Sequence, residues 1–178
     1  MSKLLNVSSS PHVRCGVSTK NLMYDVAIAM LPATIWGVMQ FGIYSLIVVV
    51  ATVLSCVLSE YLFETLMHKP VTISDGSALV TGMILGLNMP PAIPLWMPIL
   101  GGVFAIIVVK QLYGGLGQNW MNPALAARCF MLISFAQAMT KFTDPVTDAV
   151  ASATPLAAIK AGDTYDLAAM FIGKIPDR

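Results

Sequence analysis

The sequence predicts an all-α, polytopic membrane protein of about five spans, some of them broken half-helices. Three observations predict it. The chain is 57% hydrophobic and only 11% charged, whereas a soluble domain carries about 25% charged residues. Several stretches long enough to cross a bilayer hold one ionisable residue or none. Prolines and glycines then cut the longest of these stretches into pieces too short to span alone,.

The elements follow in order. Residues 1–20 are polar and carry Lys3, Arg14 and Lys20 with no acid, so they are read as a cytoplasmic segment by the positive-inside rule. Polar residues before the first apolar run are the wrong order for a cleavable signal. A helix needs roughly 20 apolar residues to cross a core of about 30 Å. Residues 21–40 meet that requirement, interrupted only by Asp25, and residues 41–59 meet it with no charge. Gly42 is placed in the tight turn between them, and a polar patch spans 60–75. Residues 76–109 are too long for one span and too short for two. Pro90-Pro91 splits them, because proline ends the helical ladder and its predecessor leaves the helical region. This leaves a half-length piece, 76–89, and a fuller one, 94–109. Lys110 is read as snorkelling to the headgroups. Gly114-Gly115-Leu116-Gly117 cannot be helix interior,. Residues 119–140 read as helix again, with Arg128 in the middle. The membrane domain is therefore 21–140, and counting five crossings puts the polar segment 141–178 on the external face,.

The formal net charge of +1 offers no basic field, so nucleic acid is not an expected partner,. Cys15, Cys56 and Cys129 are far apart, so no metal or iron–sulfur site is expected; Cys56 and Cys129 read as small buried packing residues. Asn122-Pro123-Ala124 matches the tripeptide of water channels, but a pore needs two copies and the chain has one. Asn122 as a helix N-cap with proline at the first helical position is the stronger reading. A phosphate cradle would need a P-loop or a βαβ unit, and neither occurs. Asp25 fits a place on an ion path and a place near the interface equally well. Arg128, inside an apolar helix, is expected to be paired and to face a cavity, where it could hold a phosphate or an anionic ring. Thr154-Pro155 reads as a helix start, and such a terminus also favours an anion. Broken helices at membrane depth survive only where protein or a polar cavity covers them, which suggests a transporter-like scaffold.

Four features in order resemble one family. They are Ser10-Pro11-His12; Asp75-Gly76-Ser77-Ala78-Leu79-Val80-Thr81-Gly82 running on to Asn88-Met89-Pro90-Pro91; Lys110-Gln111-Leu112-Tyr113-Gly114-Gly115-Leu116-Gly117-Gln118-Asn119 through Asn122-Pro123-Ala124 and Arg128; and Ser152-Ala153-Thr154-Pro155-Leu156. The chain resembles the D subunits of Rnf complexes and, more distantly, the B subunit of the sodium-pumping NADH:quinone reductase. The resemblance implies a membrane flavoprotein of an ion-translocating ferredoxin:NAD⁺ oxidoreductase complex, an electron relay that is not catalytic alone. It implies FMN held as a phosphoester on Thr154 within a D-x-x-(S/T)-(G/S)-(A/S)-T pattern, which Asp148, Ser152 and Ala153 match and Ala151 does not. Ser152, Arg128 and Asn122 are further candidate cofactor-binding residues, and riboflavin as a cofactor is left unsupported by any motif. Implied partners are the A, B, C, E and G subunits of the complex, a flavin-attaching transferase and the lipid of a bacterial cytoplasmic membrane, with Thr154 external. The implied fold is one of two inverted repeats of a urea-transporter-like architecture, which makes this chain about half of such a subunit. A channel or transporter for a small neutral solute is the alternative function.

Overall fold

The structure, a computed structural model, describes residues 18–141. These residues are helical, with no strand among them. Helix α1 covers Thr19–Phe41, and the Ser18 side chain caps it by accepting from the Asn21 N–H. Gly42 follows with φ 80° and its N–H bonded to the Val38 carbonyl, a turn that a residue with a Cβ adopts only under strain. Helix α2 covers Ile43–Leu66 and continues past residue 59 into the expected polar patch. Glu60 and Glu64 are buried within it. A short 3₁₀ turn, Ile73–Asp75, leads into the half-length helix α3, Ser77–Leu87. Helix α4, Trp96–Val103, continues as a π-helical stretch over Phe104–Gln111.

The helix expected over 119–140 is shorter. Gly114, Gly115 and Gly117 hold positive φ, and the chain becomes helical only at Pro123, after the Asn122 cap. Helix α5 spans Pro123–Ser134, breaks at Phe135 (φ −133°, ψ 49°), and α6 adds Ala136–Met139.

Contacts fix the directions. Tyr44 and Ser55 of α2 donate hydrogen bonds to the carbonyls of Ile93 and Ile99, and Lys110 reaches Glu60. Helix α4 with its π-helical extension therefore runs parallel to α2. Gly82 faces Val53 and Gly86 faces Val49, so α3 runs antiparallel to α2. Trp96 meets Phe135 and Phe104 stacks on Phe130, so α5 runs antiparallel to α4. Close approach depends on missing side chains. A Cβ on Gly82 would lie 2.6 Å from Val53 Cα, and one on Gly102 would lie 2.8 Å from Ser55 Oγ. Small residues at such crossings let backbones pack where lipid supplies no hydrophobic drive between helices.

Among the described residues, α1 and α2 are long and apolar enough to cross a membrane, and three shorter apolar helices accompany them. Large apolar side chains such as Leu31, Ile35, Trp36, Leu54 and Leu58 face outward, while Glu60, Glu64, Lys110 and Gln111 are buried. That distribution suits an apolar surrounding medium.

Candidate functional site

Two places combine shape with chemistry, and both lie toward the end of the bundle where α2 finishes and α5 begins. The first is a cavity of about 510 Å³ between the π-helical stretch and α5. Phe104, Val108, Tyr113, Trp120, Leu125 and Ala126 line it, with Asn122 among its polar members. Asn122 caps α5: its Oδ1 accepts from the N–H groups of Ala124 (3.0 Å) and Leu125 (3.4 Å). The cap reading therefore holds, and the carboxamide nitrogen takes no part in the cap. Asn119, one residue before Trp120, leaves a buried Oδ1 without a hydrogen bond among the described residues. Cavities of this size and apolar character are those that enclose small ligands, typically in the range of about 300–1,000 Å³.

Arg128 is not brought to this cavity. It lies further along α5, exposed, and donates to Asn88 Oδ1 at 2.8 Å. Asn88 also donates to the Ile84 carbonyl at 2.8 Å, so the pair ties α5 to the end of α3. Arg128 is thus paired as expected, but with a neutral amide and away from that cavity. Cys56 is buried as expected, whereas Cys129 is exposed on the rim of the cavity, because no described residue packs over that side of α5. Asp25 is exposed on α1. Ser152 and Thr154 lie outside the described residues.

The second place was missed by sequence reasoning. Lys110 does not snorkel: it is 1% exposed and its Nζ lies 2.5 Å from Glu60 Oε1, with Glu60 fully buried. The physical reason is the partner. An ammonium held by a carboxylate inside the bundle need not reach the headgroups. Lys110 also donates to Ser77 Oγ at 2.6 Å, and Ser77 Oγ donates to Asp75 Oδ1 at 2.6 Å. Gln111 Nε2 donates to Glu60 Oε1 (2.9 Å) and to Glu64 Oε1 (3.3 Å). Glu64 in turn accepts from the Thr72 N–H at 3.0 Å and from the Thr72 hydroxyl. Glu60 Oε2 is buried and makes no hydrogen bond among the described residues. The available signal was the spacing of Cys56, Glu60 and Glu64, four residues apart on one helix face. Ending the second span at residue 59 and setting 60–75 apart as a polar patch concealed it.

The model of the family described as "NQR2, RnfD, RnfE family" matches residues 6–178. The chain is similar to the D subunit of the Na(+)-translocating ferredoxin:NAD(+) oxidoreductase complex of Acetobacterium woodii, 49% identical over 90% of this chain and 51% of that protein. It is 42% identical to the D subunit of the proton-translocating ferredoxin:NAD(+) oxidoreductase complex of Clostridium ljungdahlii, over 88% of this chain and 48% of that one. It is 40% identical to the D subunit of the ion-translocating oxidoreductase complex of Shewanella denitrificans, over 87% and 45% respectively. The chain spans about half the length of these relatives.

Proposed function

Since this chain belongs to the NQR2, RnfD, RnfE family, we propose that it forms the first half of a D subunit in an Rnf-type ion-translocating ferredoxin:NAD⁺ oxidoreductase. The observation that carries this reading is the 49% identity to a named D subunit across nearly the whole chain. Its partners are then the A, B, C, E and G subunits of that complex and a flavin-attaching transferase. It sits in the cytoplasmic membrane of a bacterium with its N-terminus inside. The five helical segments of alternating direction, with α3 at half length, support one of two inverted repeats of a urea-transporter-like fold. Likeness does not fix the coupling ion, since one relative is named for sodium and another for protons.

FMN is attached as a phosphoester to Thr154 on the external face, and Asp148, Ser152 and Ala153 around it support this assignment. A flavin supplies transfer of electrons singly or in pairs, and the protein supplies position and surroundings. A phosphate tether leaves the ring free and prevents loss of the cofactor to solvent. The cavity beside Asn122 fits a flat aromatic group: its walls offer Phe104, Tyr113 and Trp120 for stacking,. A second, non-covalent flavin of the riboflavin class suits it, with Asn122 to orient the polar edge. Arg128, committed to Asn88, supports the helix ends and not the ring.

The test is Thr154→Ala in the full-length protein. The variant is expected to insert in the membrane and to lose the flavin fluorescence that survives on the denatured band. Fluorescence persisting on that band overturns the attachment site. A colourless wild-type protein that conducts urea or water favours the solute channel instead.

A further inference from the structure

We infer that the π-helical stretch Phe104–Gln111 couples the cavity beside Asn122 to the buried polar network, so that a flat aromatic ligand in the one and the hydrogen bonds of the other strengthen each other. The inference rests on reading that cavity as a ligand site, and not on the Thr154 tether. Register carries it. A π-helix bonds each N–H five residues back, where an α-helix bonds four back. The Leu112 N–H donates to the Ile107 carbonyl at 3.1 Å, and the Gly115 N–H donates to that of Lys110 at 3.1 Å. The wider register therefore runs on into the glycine loop.

That register decides which side chains share a face. Phe104, Val108 and Tyr113 line the cavity, at spacings of four and five residues. From Phe104 to Tyr113 is about two and a half turns of an α-helix, which would set the two rings on opposite sides. With bonds reaching five residues back, a face recurs every four to five residues, and all three align. The opposite face follows the same rule. Ile106, Lys110 and Gln111 are buried. Lys110 and Gln111 both reach Glu60, and Gln111 also reaches Glu64. In an α-helix Gln111 would lie about 1.4 turns beyond Ile106, rotated away from the carboxylates.

Two anchors hold this register, which is rare in proteins beyond a single turn. At one end Phe104 stacks on Phe130 of α5, with ring centres 4.2 Å apart. At the other, Lys110 and Gln111 are tied to α2. Helix α5 supplies the facing wall of the cavity through Leu125 and Ala126. Cutting the anchor on α2 frees the last turn to relax to α-helical bonding, which takes Tyr113 off the cavity wall. A ligand lying against both Phe104 and Tyr113 meets that pair only in the π register. It therefore favours that register, since a ligand shifts an equilibrium by its differential contacts alone. Linkage makes the effect mutual: the network tightens the ligand by the factor that the ligand tightens the network.

The experiment titrates riboflavin, as the probe, into the full-length protein washed free of non-covalent flavin in detergent, and reads the quenching of its fluorescence. Gln111→Leu removes both hydrogen bonds to the carboxylates, and Gln111 is not among the residues lining the cavity. The variant is expected to bind riboflavin at least about fivefold more weakly, the lower end of ordinary coupling. Should it not fold, Gln111→Asn, which keeps the amide but shortens its reach, carries the same expectation. Ser55→Ala is the control. It cuts the hydrogen bond from α2 to the Ile99 carbonyl, in the α-helical part of α4, and is expected to leave the affinity unchanged. Amide exchange at Leu112 and Gly115 reports the register, and riboflavin is expected to slow it in the wild type. Unchanged affinity in the Gln111 variants, or an equal loss in Ser55→Ala, overturns the coupling. So does riboflavin binding that leaves exchange at both amides as it was. Riboflavin that fails to bind the wild type overturns the cavity as its site and the coupling with it. Flavin retention on Thr154 is scored in the same sample, so failure here is distinguishable from failure of the tether.

Discussion

Replacing Lys110 with methionine removes the ammonium but keeps the length of the side chain. Glu60, fully buried, would then keep only the Gln111 amide on Oε1 and nothing on Oε2. Ser77 would keep its bond to Asp75. Breaking a buried ion pair from one side costs about 3–5 kcal/mol, because the remaining charge is uncompensated. For a domain of this size each kcal/mol moves the melting temperature by about 2–4 °C, so Lys110→Met should melt roughly 10 °C lower. The double variant Lys110→Met/Glu60→Gln removes both charges at nearly constant volume. Such replacements are often neutral or stabilising by about 1–4 kcal/mol, so it should recover most of the loss. The loss in the single variant should also shrink as pH falls, since a protonated Glu60 carries no charge to compensate. The assay is thermal unfolding of the detergent-solubilised full-length protein, followed by tryptophan fluorescence across a pH series. A single variant as stable as wild type would refute the pairing. A double variant no better than the single would refute the reasoning about charge.

Gly82→Ala should destabilise by about 1–3 kcal/mol, the usual cost of overpacking, because its Cβ would lie 2.6 Å from the α2 backbone at Val53. Gly37→Ala is the internal control: nothing lies within 4 Å of its Cβ, and a helical glycine replaced by alanine gains up to about 1 kcal/mol. Melting temperatures moving in the same direction for both would contradict the close α2–α3 crossing. Asn122→Ala should cost about 1 kcal/mol through the lost cap, and Asn122→Asp should retain it; amide exchange at Ala124 and Leu125 reports this directly. Ala126→Phe should fill the cavity beside Asn122 and remove flavin that denaturation releases, leaving flavin bound to Thr154. Unchanged release of flavin from that variant would place the ring elsewhere.

Much of the membrane architecture was legible in the residues because it depends on local chemistry. Pro90-Pro91 ends α3 wherever the chain lies, and Gly42 takes the positive φ that joins α1 to α2. Asn122-Pro123 starts α5 because a carboxamide can accept from the next N–H groups and proline is preset for a first helical turn,. The family likeness was equally legible, carried by short motifs in a fixed order.

The buried network was decided only by tertiary structure. Glu60 and Lys110 are separated by 50 positions, and each taken alone belongs at a water-facing boundary. Glycines at 82, 86 and 102 bring α3 and α4 against α2, and the π-helical stretch then delivers Lys110 and Gln111 to the carboxylates. A charge buries itself only when its partner is already there. Local patterning carries no record of such a partner, so α2 seemed to stop where it in fact continues.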